Sequence, residues 1–111
     1  MSYDLRVIAD REIDLEAVRA LLLAVDGMEE LGDELVWSGT AVTASFLIDH
    51  AEVDVGMTSD EAPAPVLRRE FLQVLDMVAR VGALVRAPVY DVQLGRALRP
   101  GDEEALKDFA G

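Results

Sequence analysis

One stretch of the chain, residues 66–86, constrains the fold more than any other. Apolar side chains recur there at spacings of four and three residues, which is the period of one face of an α-helix. They are Leu67, Phe71, Val74, Val78, Val81 and Val85. A stripe of this length must pack against other elements, because it would otherwise leave a large apolar surface in water. The sequence therefore predicts a long helix lying on a larger apolar face.

The segments before this helix have a different period. Residues 3–9 alternate apolar side chains with Asp4 and Arg6, as a strand with one buried face does. Asp14 is a good N-cap and predicts a shorter helix that ends near Gly27. Residues 28–33 are interpreted as an acidic loop. Three further strands are predicted at residues 34–38, 41–48 and 51–57, because turn residues separate these apolar segments.

The chain after the long helix predicts one more strand and a short helix. In residues 89–94, alternation places Tyr90, Val92 and Leu94 in the core and leaves Asp91 and Gln93 in solvent. Gly95 suits a bulge, and Asp102 is the expected cap of a C-terminal helix.

This order of elements predicts a single α+β domain over residues 1–111. Its expected architecture is a ferredoxin-like βαββαβ core with one extra strand and a short C-terminal helix. The sheet is expected to be antiparallel, with two helices on one face. Such a fold supports many unrelated functions, so function must be argued from individual residues.

Charge is distributed very unevenly along the chain. The formal net charge is −12, and residues 1–61 hold 15 acids and 3 bases, while residues 62–111 hold 7 of each. A field of this kind repels nucleic acid and anionic lipid and attracts basic partners. We therefore expect no binding to nucleic acid or membrane. The alternative is that the acids only keep the fold soluble or adapt it to salt, although salt adaptation should affect both halves.

The usual reactive groups of enzymes are missing from the sequence. The chain has no Cys, one His, and no glycine-rich phosphate loop followed by lysine. His50 is flanked by carboxylates, but it is predicted at a hairpin tip, where adjacent ligands seldom converge on one ion. We expect a protein that is not an enzyme and has no cofactor or metal, with an enzyme that uses carboxylates alone as the alternative. The lack of Cys, of a signal peptide and of a membrane span predicts a cytoplasmic protein.

The leading functional hypothesis is a non-catalytic interaction domain that presents an acidic surface to a basic protein. Its candidate partner-binding residues in the acidic loop and the following hairpin are Glu29, Glu30, Asp33, Glu34, Asp49, Glu52 and Asp54. Trp37 and Met28 are candidate exposed anchors, although Trp37 fits the core equally well. The alternative is a homodimeric small-molecule-binding or regulatory ferredoxin-like domain, since a sheet with open edges invites pairing.

The string Tyr90-Asp-Val-Gln-Leu-Gly-Arg96 carries the one resemblance in the chain. It is similar to strings near the C-terminus of small acidic bacterial proteins, some of which resemble immunity proteins that neutralise toxins. The resemblance implies that Asp91, Gln93 and Arg96 belong to a binding surface and that the partner is a basic toxin. The simpler interpretation is that the three side chains form the solvated face of a strand, with an ion pair of small energetic value.

Overall fold

The computed structural model describes residues 2–98. Within that range the chain forms seven strands and two helices. They are β1 (Ser2–Ile8), α1 (Leu15–Leu23), β2 (Met28–Leu31), β3 (Glu34–Ser38), β4 (Val42–Ile48), β5 (Glu52–Ser59), α2 (Ala64–Val85), β6 (Val89–Asp91) and β7 (Arg96–Ala97). The long helix lies where its apolar period predicts it. The predicted helix at Asp102 lies outside the described residues.

All the strands join one antiparallel sheet in the order β2-β3-β4-β5-β1-β6-β7. Strands β2 to β5 run as a meander from one edge towards β1, and α2 then carries the chain across β1 to β6. The α+β class and the antiparallel sheet are confirmed. The specific ferredoxin-like arrangement with one extra strand is not, because four strands separate the helices and two follow α2.

The predicted acidic loop at residues 28–33 is partly wrong, because it contains the edge strand β2. Met28 pairs with Trp37 and Leu31 with Glu34, so the chain reverses within two residues. Gly32 allows this tight turn, since its φ of 61° lies in the left-handed region that glycine adopts at little cost. Most side chains of β2 are exposed. Its sequence therefore lacks the apolar alternation by which a strand is predicted.

Helix α1 begins as predicted and ends earlier. The Asp14 carboxylate accepts a hydrogen bond of 3.1 Å from the backbone N–H of Ala17, which is an ordinary N-cap. The helix ends at Leu23, with Ala24 as its C-cap, rather than at Gly27. Gly27, with φ 86°, instead lies in the turn that leads into β2.

The core lies between the two helices and one face of the sheet, which we call the covered face. Each strand sends alternate side chains there. The buried strand residues are Tyr3, Leu5, Val7, Leu35, Trp37, Val42, Ala44, Phe46, Val53, Val55 and Met57. The helices contribute Val18, Leu22, Phe71, Val74, Met77, Val78 and Val81. Both helices therefore lie on the same side of the sheet, as predicted.

A buried carboxylate fastens α2 to the turn between β3 and β4. Glu70 is only 3% exposed. Its oxygens accept backbone hydrogen bonds from Thr40 at 2.6 Å, Ala41 at 2.7 Å and Val42 at 2.9 Å. Gly39 makes the approach possible, because a Cβ at that position would lie 2.6 Å from a Glu70 oxygen. These bonds fix the long helix relative to the middle of the meander.

The charge on Glu70 depends on these hydrogen bonds. Burial raises the pKa of Glu70, but the backbone N–H groups of Ala41, Thr40 and Val42 together outweigh it. With a smaller effect from Arg69, the pKa lies below its ordinary value of 4.5. A carboxyl whose pKa is depressed in the folded state stabilises the fold above its unfolded pKa, and that contribution is lost as pH falls.

We predict that Glu70→Gln lowers the free energy of unfolding by about 2 kcal/mol at neutral pH. The side-chain amide of glutamine has only one acceptor oxygen, so its NH₂ group would face at least one of the three backbone N–H donors without forming a hydrogen bond. The difference from the wild type should shrink as pH falls below 4.5 and through the lower pKa of folded Glu70. Urea unfolding at several pH values measures both effects. Glu61→Gln, at an exposed position just before α2, is the matched control, and an equal effect in the two variants would contradict the prediction.

Candidate functional site

The second face of the sheet, which we call the open face, is the candidate functional site. Both helices of the described chain lie on the covered face, so alternation leaves the remaining strand side chains uncovered. The register assigns to the open face Asp4, Arg6, Ile8, Glu29, Leu31, Glu34, Val36, Ser38, Thr43, Ser45, Leu47, Glu52, Asp54, Gly56, Thr58, Tyr90 and Ala97.

Negative charge is concentrated on the open face. Its described residues include five carboxylates and a single base, which gives a formal charge of −4. The carboxylates are Asp4, Glu29, Glu34, Glu52 and Asp54. The base is Arg6. Three arginines of the second half, Arg68, Arg69 and Arg80, lie on α2, on the other side of the sheet. They therefore do not neutralise this face.

Arg6 lies between two of these carboxylates and balances them incompletely. Its Nε atom is 3.0 Å from Oδ1 of Asp54 and 3.6 Å from Oε2 of Glu52. Partial desolvation raises the pKa of Glu52, and the neighbouring Asp54 raises it further, whereas Arg6 lowers it. The net direction is upward, because desolvation and Asp54 together outweigh Arg6.

Exposed apolar side chains alternate with the acids. Leu31 is 55% exposed, Leu47 48% and Ile8 53%. The register sets one row across the open face in the order Leu31, Glu34, Leu47, Asp54, Arg6 and Tyr90. Large exposed apolar groups that lie together among charges are typical of protein interaction sites.

The structure brings four predicted partner-binding residues together and separates the others. Glu29, Glu34, Glu52 and Asp54 share the open face. Glu30 points to the opposite side and forms an ion pair with Arg19 of α1.

Two predicted residues lie in hairpin turns. Asp33 belongs to the turn between β2 and β3. Asp49 lies between β4 and β5, and its carboxylate accepts backbone hydrogen bonds from Ala51 at 2.7 Å and Glu52 at 2.9 Å. These bonds, the one from Ala51 first, lower the pKa of Asp49. Asp49 is therefore a turn-forming residue.

The predicted orientation of the last strand is wrong. Asp91 is fully buried, while Tyr90 and Val92 are 38% and 39% exposed. The reason is register, because Asp91 pairs with Leu5, whose side chain faces the core. The Asp91 carboxylate accepts a hydrogen bond from the Tyr3 hydroxyl and one of 2.9 Å from the Leu94 N–H. Asp91 is therefore not part of a solvent-exposed surface.

The neighbouring polar residues of the string build the turn after β6. The side-chain oxygen of Gln93 accepts a hydrogen bond of 3.0 Å from the Asp4 N–H, and its amide donates to Oδ2 of Asp4 at 3.4 Å. Arg96 donates to the carbonyl of Ala97 at 3.1 Å. Gly95, at φ 67°, completes the turn. The string thus ties β6 and the turn after it to β1, and Gln93 remains exposed beside the open face.

The two expected anchors are not exposed on the open face. Trp37 is 6% exposed and belongs to the core, and Met28 is partly buried against it. Trp37 also lies at a groove of about 600 Å³ between α1 and α2. Other residues that line this groove include Leu21, Val25, Leu72 and Met77, together with Arg69 and Arg80.

Asp4 is the open-face carboxylate that the sequence-based site missed. Residues 3–9 predict that its side chain is exposed, but they do not show which strand lies beside it. Only the pairing of β1 with β5 places Asp4 next to Gly56 and one pleat away from Asp54. The two strands are about fifty residues apart in the sequence, so local spacing carries no signal for this contact.

In the described range, no group of three or more His, Cys, Asp or Glu side chains is arranged to hold a metal ion. Neither described helix is both long and apolar enough to cross a membrane. Comparisons with protein-family models, with characterised proteins and with solved structures give no match.

We predict that Tyr3→Phe lowers the free energy of unfolding by about 2 kcal/mol, because it leaves the buried Asp91 carboxylate without one of its donors. Tyr90→Phe is the matched control and should change stability by less than about 0.5 kcal/mol, since Tyr90 is exposed. Chemical denaturation of both variants measures the difference. Equal stabilities would show that the Tyr3 hydroxyl does not support Asp91.

Proposed function

We propose that this protein is a non-catalytic, cytoplasmic interaction domain whose open face binds a basic protein partner. One observation carries the proposal: five carboxylates opposed by one arginine alternate with exposed leucines on a face that neither described helix covers. Binding of this kind requires no nucleophile, general base or metal ion. The carboxylates recognise charge, and the leucines supply apolar contact.

The two kinds of side chain have different tasks in such a complex. Exposed ion pairs contribute only about 0–1 kcal/mol each, so the carboxylates mainly steer the encounter and select a basic partner. Apolar area removed from water contributes about 25 cal/mol per Å². Leu31 and Leu47, both about half exposed, are therefore the residues expected to hold the complex once it has formed.

The charge of the open face also disfavours packing of two copies through this face. Two such faces in contact would each contribute a formal charge of −4 to a partly desolvated interface. Like charges opposite each other at an interface are costly. A basic partner removes this repulsion, and a second copy in the same orientation increases it.

The most specific form of the proposal is an immunity protein that neutralises a basic toxin. The resemblance of the string from Tyr90 to Arg96 supports it, although Asp91 of that string acts inside the fold. The strand order is compatible with an elaborated ferredoxin-like core. In that description β4, β5, β1 and β6 are the core strands, and the β2–β3 hairpin and β7 are additions.

The alternative is a small-molecule-binding or regulatory domain that works as a homodimer. The groove between α1 and α2 favours it, because apolar side chains line the groove together with charged groups of both signs, Asp26, Asp76, Arg69 and Arg80. A ligand there would contact Trp37, so a change in tryptophan fluorescence on adding metabolite mixtures would favour this alternative. Sedimentation at low and high salt would show whether the chain is a stable dimer.

The proposed function predicts position-dependent binding of a defined basic probe. Octa-arginine should bind at low salt, lose affinity at about 0.5 M salt, and bind far more tightly than the uncharged octa-citrulline. The variant Glu29→Gln, Glu34→Gln, Glu52→Gln should weaken binding about tenfold, because it removes three ion pairs of up to about 0.5 kcal/mol each. Isothermal titration calorimetry provides the dissociation constants.

The matched control neutralises three exposed acids outside the open face: Asp26→Asn, Asp60→Asn, Glu61→Gln. It changes the net charge by the same amount and should weaken binding by less than about twofold, since distant exposed charges are screened. Equal losses in the two triple variants would show that only net charge matters, and the open face would then not be the binding surface.

A further inference from the structure

The open face is not flat, because β5 carries a glycine in its middle. Gly56 has no side chain and leaves a depression of about 380 Å³ on this face. Leu47 and Val92 are its apolar walls, and Ser45 lies beside the glycine. The residues with charged groups around it are Asp4, Arg6 and Asp54. Two carboxylates and one guanidinium give this lining a formal charge of −1.

Neither the backbone nor the available space requires a glycine here. Gly56 is not among the residues with positive φ. A Cβ at this position would meet only Oδ1 of Asp4, at 3.6 Å, which is an ordinary contact. Glycine inside a strand weakens it and often marks a place where another molecule approaches closely. The absence of a side chain at Gly56 is therefore best explained by the depression that it creates.

On the basis of the proposed function, we infer that this depression receives an arginine side chain of the basic partner. The methylene groups of the arginine would lie against Leu47 and Val92, which are 48% and 39% exposed. Its guanidinium would lie between the carboxylates of Asp4 and Asp54. The site thus combines apolar walls for the stem with acceptors for the head group.

The register explains why arginine fits better than lysine. Asp4 pairs with Gly56 and Asp54 with Arg6, so the two carboxylates are diagonal neighbours across β1 and β5. Diagonal neighbours in an antiparallel pair are about 7–8 Å apart. A guanidinium has donors on several edges and can bond two acceptors at this separation, whereas an ammonium is a compact, strongly hydrated charge.

The existing contacts leave an acceptor directed at the depression. Gln93 binds Oδ2 of Asp4, while Oδ1 is the atom closest to the missing side chain of Gly56. Arg6 lies directly opposite Asp54 on the neighbouring strand, and its Nε atom is 3.0 Å from Oδ1 of Asp54. An incoming guanidinium can therefore bind Asp4 without breaking either contact.

The test fills the depression and leaves every charge in place. Gly56→Val should weaken octa-arginine binding about tenfold, because its methyl groups occupy the depression, and should leave octa-lysine binding within about twofold. Thr58→Val is the matched control, since it lies on the same strand and face outside the depression, and it should leave both affinities unchanged. Calorimetry gives the dissociation constants, and amide chemical shifts should move around Gly56 and Ser45 with octa-arginine.

A second variant tests the depression independently, in case the Gly56→Val protein does not fold. Leu47→Ser removes one wall at a position that is already 48% exposed, and it should weaken octa-arginine binding about threefold. Unchanged octa-arginine affinity in both variants, or an equal loss for octa-lysine, would overturn the arginine site. The proposed function has its own test, because equal losses of octa-arginine affinity in the two triple acid variants would contradict it whatever the result for the depression.

Discussion

The two helices of the described chain lie on the same face of its seven-stranded sheet, and this arrangement determines which strand side chains remain on the open face. The apolar stripes of α1 and α2 both need an apolar surface, and the alternate side chains of the strands provide it on one side. Once α2 lies there, the register of each strand fixes which residues remain on the other side. The open face is thus a direct consequence of the way in which the core is closed.

Two groups of carboxylates in the described chain have different physical roles. Some are used within the fold: Glu70 binds the β3–β4 turn, Asp91 binds Tyr3, Asp14 caps α1 and Asp49 closes a hairpin. Each of these accepts hydrogen bonds from specific donors of the same chain. The acids of the open face instead lie on a face that neither described helix covers, and two of them, Glu52 and Asp54, pair with Arg6. Other acids of the described chain, such as Asp26, Asp60 and Glu61, are also exposed, but this second group shares one face of the sheet with exposed apolar side chains.

Much of the fold could be predicted from the sequence, because β1, β3, β4, β5 and α2 carry strong apolar periods. The remaining elements are short or lie at the edge of the sheet. Strand β2 buries little and so has no apolar pattern, and β6 is too short for alternation to fix its register. The register of β6 differs by one residue from the predicted one, so Asp91 is buried and Tyr90 is exposed, the reverse of the prediction.

The candidate site was predictable only in part, because it depends on which strands are neighbours in the sheet. Local spacing shows that Glu52 and Asp54 lie on one face of a strand, and it indicates the same for Asp4 and Arg6. It does not show that these two strands are neighbours. Glu70 was missed because a carboxylate next to an apolar stripe is normally solvated, and its donors lie some thirty residues earlier in the chain. Contacts between distant segments decide both cases.

Site-specific photo-crosslinking in a lysate of the producing cells tests the role of the open face most directly. A photoreactive residue at Leu31 would report on the open face, and one at Leu84 of α2, similarly exposed, would report on the other side of the molecule. The expected result is a crosslink from position 31 alone to a protein rich in lysine and arginine, which disappears at high salt. The same products from both positions, or a crosslink from position 31 to a second copy of this chain, would contradict it.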